Sequence, residues 1–534
     1  MPKTLAALVA FLKEKNFLED AFPKELLKLN RTLSRLTLDS RNIEPDGVFV
    51  ALKGEKQDGR SYIHDVLKKG AALVLTEPLS SKREERNYAG YVLEIKNLKK
   101  ILPQLAIFFY DLEDLNFPIF AVTGTNGKTT VSYLAAQMVS SLNQSSSGWI
   151  GTLGASFVLS RKNILDTTPI TQLLANTQMT TPDALSLGYV LENFKKKGVL
   201  AVSMEASSHA LDQDRLAGFP IDTAVFTNLT QDHLDYHENL ESYFLAKYKL
   251  FEFSSLKTMV LNQDDPKSEL IKNKNLNKNI KIITYGLIKK ADIFYKKYIP
   301  VEGGYDVHVV TPWGEFETFL PLLGEFNLSN YLAACGVLLS LKIDKLNFKL
   351  SNFSLENLAQ ITPYLLPPEG RMELIKKGEN RPLIVIDYAH TPDALEKVLK
   401  TLRSHLEGAK NKNKNKKLWV VFGCGGDRDR KKRPQMAKIS QKFADRIIVT
   451  EDNARFETIE NIFEDIFSGF DSKLQKSDEL GTWPLLIRHR GEAIRFACEL
   501  AISQDIVLLA GKGHEKYLEV RGQRIAFDER DFIF

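Results

Sequence analysis

The amino-acid sequence predicts an α/β protein of three domains built on parallel sheets. Three observations carry this. The chain has 534 residues, and at roughly 100–200 residues per domain that length implies about three cores. Short apolar runs alternate with helical stretches along most of it, the pattern of parallel strands joined by crossover helices. Around Ile119 to Val139 an apolar strand pattern enters a glycine-containing loop and leaves it as a helix.

Composition narrows the class further. With 26% charged and 43% apolar residues the chain belongs with folded globular proteins, not disordered or fibrous ones. The net charge of +5, from 72 basic and 67 acidic residues, is too small and scattered for a nucleic-acid footprint, and fits a small anionic ligand. Cys335, Cys424 and Cys498 are odd in number and far apart, which excludes a disulfide framework and a CxxC metal site and points to a reducing cytoplasm. The apolar run Leu5 to Leu12 is too short to cross a bilayer, lacks a small-residue cleavage pattern and reads as an amphipathic helix. No run approaches 18 apolar residues, so no membrane span is expected.

Taken in order, Leu36 to Leu75 alternates apolar runs with turn residues, as a small α/β unit does, and Asn97 to Asp114 is mainly helical. Strands are expected at Ile119–Thr123, Val199–Met204, Thr223–Phe226 and Met259–Asn262, with a helix over Asn330–Leu341. After the turn signal Pro367-Pro368-Glu369-Gly370, further strands are expected at Ile384–Ile386, Leu418–Phe422, Arg446–Val449 and Ile506–Leu509. The implied domains are 1–97, 98–361 and 362–534. The Lys/Asn-rich segments Lys272–Lys281 and Lys410–Lys417 have no face to bury and read as solvated loops.

The loop after Thr123 is Gly124-Thr125-Asn126-Gly127-Lys128-Thr129-Thr130. Its glycines let backbone N–H groups converge on phosphate oxygens, the following helix adds its dipole, Lys128 supplies a cation and Thr129 an Mg²⁺ ligand. The spacing is shorter than GxxxxGK[ST], yet an ordinary turn would not place a lysine at a helix start, where cations are disfavoured. A nucleoside triphosphate site is therefore expected. Glu205, ending an apolar strand, is placed to support Mg²⁺ beside the phosphates.

The stretch Asn228 to His237 is dense in metal-capable groups. His233 and His237 would share a helical face, which raises zinc. Without HExxH or a nearby cysteine the oxygen-rich surroundings favour Mg²⁺, and His237 alone reads as a satisfied surface or capping histidine. Lys247, in a helical run, would by itself be a surface lysine with a buried stem.

Together these words resemble the Mur ligase family. Eight occur in family order between about residues 36 and 515: GTNGKTT at 124–130, Glu205 to His209, DHLDYH at 232–237, Lys247 before Leu250-Phe251, Gly324 to Asn330, Gly370 to Glu373, Asp387 to Asp393, and Gly511 to Glu515. The resemblance implies an N-terminal domain for a uridine nucleotide, a central P-loop-type ATPase and a C-terminal Rossmann-like domain carrying an amino acid. It implies a cytoplasmic, monomeric ligase that makes an amide through an acyl phosphate in peptidoglycan precursor synthesis. Its substrates would be ATP, UDP-N-acetylmuramoyl-L-alanyl-D-glutamate and meso-diaminopimelate.

By the same resemblance Leu38 and Ser40 contact the uridine diphosphate, within a site that includes Gly54 to Arg60. Thr180, Thr181, Ser207, Gln213 and Arg215 contact the muramoyl-dipeptide, with Met179 where some relatives carry Asn. ATP would be held by Gly124 to Thr130 together with Asn330, Arg371 and Asp387. Lys128, Glu205, His233 and Lys247 would be catalytic. Mg²⁺ would lie on Thr129, Glu205, His233 and Lys247, the last as a CO₂-derived carbamate. Arg428, Asp452, Asn453, Arg455, Gly511 and Glu515 would bind the amino acid. The segment Asp452 to Arg455 resembles the DNPR word of diaminopimelate-adding members, with Ala454 in place of proline. An arginine fork suits the distal carboxylate that distinguishes diaminopimelate from lysine, whose ammonium it would repel.

The competing expectations are an L-lysine-adding ligase, a folylpolyglutamate synthetase type, a nicotinamide-binding oxidoreductase argued from Val420 to Asp427, and a non-enzymatic ATP-gated module. The second lacks the Thr37 to Arg41 word, the third a fingerprint glycine, and the last has no use for Lys247.

Overall fold

A computed structural model of the chain describes residues 3–18, 31–54, 57–78, 92–160, 170–176, 179–275, 279–288, 290–301, 303–343, 353–375, 378, 380–408, 416–474 and 476–533. Near the N-terminus, strands Leu36–Thr37, Val48–Ala51, Leu73–Thr76 and Val92–Glu94 form a parallel four-stranded sheet. Helix Leu5–Glu14, started by the Thr4 hydroxyl accepting from the Ala7 N–H, packs in one apolar cluster with that sheet and with helix Leu98–Phe109.

The middle of the chain forms an eight-stranded sheet. Six of its strands are parallel, in the spatial order Lys281–Tyr285, Thr258–Asn262, Thr223–Phe226, Ile119–Thr123, Val202–Glu205 and Ser147–Gly151. Gly154–Val158 and Thr171–Ala175 extend it antiparallel. The central strands are buried along their whole length because helices cover both faces. On one face, helices Lys128–Asn143 and Glu325–Ile343 share a core with an antiparallel sheet of Phe294–Val301, Gly304–Thr311 and Gly314–Leu320. On the other lie Leu98–Phe109 and Ala184–Lys197.

The last part forms a six-stranded sheet in the order Glu373–Ile375, Leu383–Asp387, Ile506–Ala510, Leu418–Phe422, Arg446–Val449 and Leu485–Leu486, parallel except at its first strand. Three units on mainly parallel sheets agree with the expected α/β class. No helix among the described residues is long and apolar enough to cross a membrane.

Register fixes where the loops meet. In the central sheet Val122 pairs with Glu205 and Thr123 with Phe226, so the glycine loop, Glu205 and the residues after Phe226 leave one edge together. In the last sheet Asp387 and Phe422 both pair with Ala510, and Phe422 with Val449, which brings the loops after those four strands to a common rim.

Some expectations are corrected. Lys272 to Asn275 is not a loop but the end of helix Pro266–Asn275, and Lys281 opens a strand. Asn275 is buried, its side-chain amide donating to the Ile271 carbonyl at 2.8 Å, so one polar residue does find a buried face in this tract. Residues 276–278 and 410–415 lie outside the described set. The antiparallel sheet at 294–320 was unforeseen: charged residues interrupt its apolar alternation, and its buried face is supplied by helix Glu325–Ile343.

Candidate active site

The glycine loop is braced from the neighbouring strand's exit. The Thr125 N–H donates to the Asn228 carbonyl at 2.9 Å, the Asn126 N–H to Asn228 Oδ1 at 3.0 Å, and the Thr230 N–H to Thr125 Oγ1 at 2.9 Å. Gly127 adopts φ +85°, and a Cβ there would come within 2.4 Å of Asn330 Oδ1. Asn330 is thus seated directly under the loop, its amide donating to Asn327 Oδ1 at 2.9 Å. Lys128 begins helix Lys128–Asn143 and folds back, Nζ donating to the Gly124 and Thr125 carbonyls, each at 2.9 Å.

Glu205 is buried at the strand end. Its Oε2 accepts from the Thr129 hydroxyl at 3.0 Å and its Oε1 from the Thr152 N–H at 2.8 Å. Burial raises its carboxyl and lowers the Lys128 amine, each opposed by the other's charge. The charge of Arg371, on the last unit, acts on both. Arg371 also lies over the Tyr388 ring at 5.0 Å, next to Asp387, whose carboxylate accepts from the Met372 and Ala389 N–H groups at 2.8 Å each. Burial pushes the Asp387 carboxyl up, against Arg371 and these two N–H donors.

Lys247 is not the surface lysine its helix alone implies. It is 1% exposed, with Nζ donating to the Gly124 carbonyl at 2.8 Å and lying 4.1 Å from the Tyr243 ring centre. Burial, and then the Lys128 charge, hold its amine well below the ordinary lysine range. His237 is likewise buried rather than superficial, its Nε2 2.9 Å from Ser208 Oγ. His233 lies just before the short helix Leu234–His237 with φ +51°, so the two histidines do not form a helical pair. It is exposed, 3.5 Å from Asp232, edge-on to the His209 ring and 6.2 Å from the ring of Tyr243. No group of three or more His, Cys, Asp or Glu among the described residues is arranged to hold a metal alone. The Thr129 and Glu205 oxygens do fit a hard divalent cation completed by phosphate and water.

Beside Glu205 the structure assembles the five expected dipeptide contacts. Thr181 Oγ1 donates to the Glu205 carbonyl at 2.9 Å and lies 3.2 Å from Ser207 Oγ. Arg215 donates to Gln213 Oε1 at 2.6 and 3.0 Å, to the Thr181 carbonyl at 3.0 Å and to Met179 Sδ at 3.2 Å. Thr180 Oγ1 is 3.3 Å from Thr152 Oγ1. In the first unit Leu38 and Ser40 lie half-buried after strand Leu36–Thr37, and the Ser40 carbonyl accepts from Lys69 Nζ at 3.0 Å. Of the Gly54 to Arg60 segment, Glu55 and Lys56 lie outside the described residues.

In the last unit a cavity of about 350 Å³ is lined by Arg428, Asp452, Asn453, Arg455, Gly511 and Glu515, all six expected contacts to the amino acid. Asn453 organises its floor: its amide donates to Glu515 Oε2 at 2.8 Å, and its Oδ1 accepts from Lys512 Nζ and the Glu519 N–H, both at 2.9 Å. Arg455 Nη1 donates to the Gly426 carbonyl at 2.8 Å. His390 also lines the cavity, with Nδ1 2.8 Å from the Tyr388 carbonyl. Sequence reasoning missed Thr152, and it read Asn228 and Thr230 within a metal-capable stretch when they brace the loop. No motif marks a lone threonine after a strand.

A glycine loop with a buried lysine beside it and a separate polar cavity in the last unit fit an ATP-dependent acid–amino-acid ligase, and the chain belongs to the Mur ligase family. Residues 32–110 match the model of the Mur ligase family catalytic domain, 122–338 that of the Mur ligase middle domain, and 370–513 that of the Mur ligase glutamate ligase domain. More particularly, the chain is similar to proteins named UDP-N-acetylmuramoyl-L-alanyl-D-glutamate--2,6-diaminopimelate ligase. That of Pseudomonas putida is 39% identical and that of Pseudomonas aeruginosa 40%, each over 93% of both chains. A solved structure of a ligase with this name superposes with a TM-score of 0.66 at 35% identity, covering 100% of this chain and 98% of the other.

Proposed function

We propose that the chain joins meso-diaminopimelate to UDP-N-acetylmuramoyl-L-alanyl-D-glutamate at the expense of ATP, in the cytoplasm and as a monomer. A carboxylate is a poor electrophile until γ-phosphoryl transfer makes its oxygen a leaving group, so an acyl phosphate precedes the amide. Lys128 and the loop N–H groups would hold the triphosphate, with Asn330, Arg371 and Asp387 completing the ATP site. Thr180, Thr181, Ser207, Gln213 and Arg215 would orient the D-glutamate carboxylate, and Leu38 and Ser40 the uridine diphosphate.

Thr129, Glu205, His233 and Lys247 are the proposed Mg²⁺ ligands; when bound, the cation offsets charge on the transferring phosphoryl group. The depressed Lys247 amine supports carbamylation, since only the neutral amine adds CO₂, and the product is an anion beside the loop. Arg371 and Asp387 would reach the ATP from the last unit, whose closure would assemble the site and exclude water from the acyl phosphate.

The observation that carries the amino-acid choice is the single cavity holding Arg428 and Arg455 together with the carboxylates Asp452 and Glu515. Two guanidinium groups, with Lys432 and the carboxylates of Asp429, Asp452 and Glu515 around the same cavity, suit the two carboxylates and two ammonium groups of a diamino diacid better than lysine. Phosphate release from ATP with the nucleotide-sugar dipeptide tests this: it should require meso-diaminopimelate, and equal release with L-lysine would refute the choice.

A further inference from the structure

Resting on the proposed roles of Glu205 and Thr180, we propose that Thr152 is a positioning residue that couples the metal-nucleotide site to the acceptor-peptide site. It follows strand Ser147–Gly151 and grips Glu205 twice: its N–H donates to Oε1 at 2.8 Å, and its hydroxyl lies 3.2 Å from Oε1 and 3.4 Å from Oε2. The same hydroxyl is 3.3 Å from Thr180 Oγ1. The approach is tight enough that a Cβ on the preceding residue, Gly151, would meet Glu205 Oε1 at 2.3 Å.

A threonine hydroxyl has one proton and two lone pairs, and an ionised carboxylate only accepts. With Glu205 charged, the Thr152 proton points to the carboxylate and Thr152 accepts from the Thr180 O–H. Thr180 then offers only lone pairs to a ligand. Once Glu205 donates lone pairs to a cation, the Thr152 proton is free to turn to Thr180, whose own O–H is released toward the acceptor's carboxylate. The hydroxyl chain thus reports cation occupancy to the acceptor site, and linkage makes the effect reciprocal.

The test compares the full-length protein with Thr152→Val, which keeps shape and N–H but loses the hydroxyl, and Thr152→Ser, which restores it. Mn²⁺ binding with ADP is read by electron paramagnetic resonance, and acceptor binding by calorimetry with and without Mg²⁺ and ADP. The wild type is expected to bind acceptor at least fivefold tighter with Mg²⁺–ADP present. Thr152→Val is expected to lose this enhancement and to bind Mn²⁺ about tenfold more weakly, while Thr152→Ser retains both. A Thr152→Val protein with wild-type coupling and Mn²⁺ affinity overturns the inference alone. Glu205→Gln binding Mn²⁺–ADP as the wild type does, or a wild type that does not bind the acceptor, overturns the proposed function with it. A purely structural Thr152 would lower the melting temperature of the valine variant without altering the coupling, which also overturns it.

Discussion

Gln137 and Leu366, 229 residues apart, exchange two hydrogen bonds: the Gln137 amide donates to the Leu366 carbonyl at 2.7 Å, and the Leu366 N–H donates to Gln137 Oε1 at 3.0 Å. A buried side chain of the loop's own helix therefore fixes the backbone just before Gly370 and Arg371. Gln137→Ala leaves both Leu366 groups unpaired and is expected to destabilise the fold by about 1–3 kcal/mol. An unchanged denaturation midpoint would show that water satisfies them instead.

Lys128→Ala removes the cation held against the loop carbonyls. Ligation, measured as amino-acid-dependent phosphate release, is expected to fall by roughly three orders of magnitude. A normal rate would overturn the whole assignment of the central site.

Arg455→Ala removes a guanidinium from the cavity while its backbone bonds to the Glu519 carbonyl and Arg521 N–H remain. The expected loss is about 100-fold in kcat/KM for meso-diaminopimelate, with little change for L-lysine. Parallel kinetics on the two amino acids decide it, and unaltered values with both would take Arg455 out of recognition.

His405 lies buried where helix Pro392–Gly408 meets the antiparallel sheet, its ring 4.8 Å from Tyr305 and its Nε2 accepting from the Gly324 N–H at 3.4 Å. Burial pushes the imidazole down to about 4 from 6.5. The unfolded chain therefore binds the extra proton first. The associated stability is complete above pH 6.5 and is lost as pH falls toward 4, by about 2 kcal/mol at pH 5. His514, also held near 4 by burial, acts in the same window. Melting curves from pH 7 to 5 should thus be flatter for His405→Gln than for the wild type, though not flat; parallel curves would exclude His405 as a source.

Much of this was legible beforehand because it is local. Strands Thr223–Phe226, Leu418–Phe422 and Arg446–Val449 have the expected bounds, since short runs rich in β-branched and aromatic residues and buried along their length admit few alternatives. Helix Glu325–Ile343 begins earlier than expected and the tract at 272–275 is helical, because packing partners rather than composition decide such ends.

By itself the sequence determined the strand, loop and helix around Lys128 and the ordered words that mark the family, because these depend on neighbouring residues alone. Only the tertiary structure decided that Lys247 is buried against Gly124, that His233 is exposed, that Thr152 joins Glu205 to Thr180, and that residues from Arg428 to Glu515 line one cavity. The physical reason is register. Parallel pairing levels the ends of strands far apart in the chain, and which side chains then meet is a property of the sheet, not of any one segment.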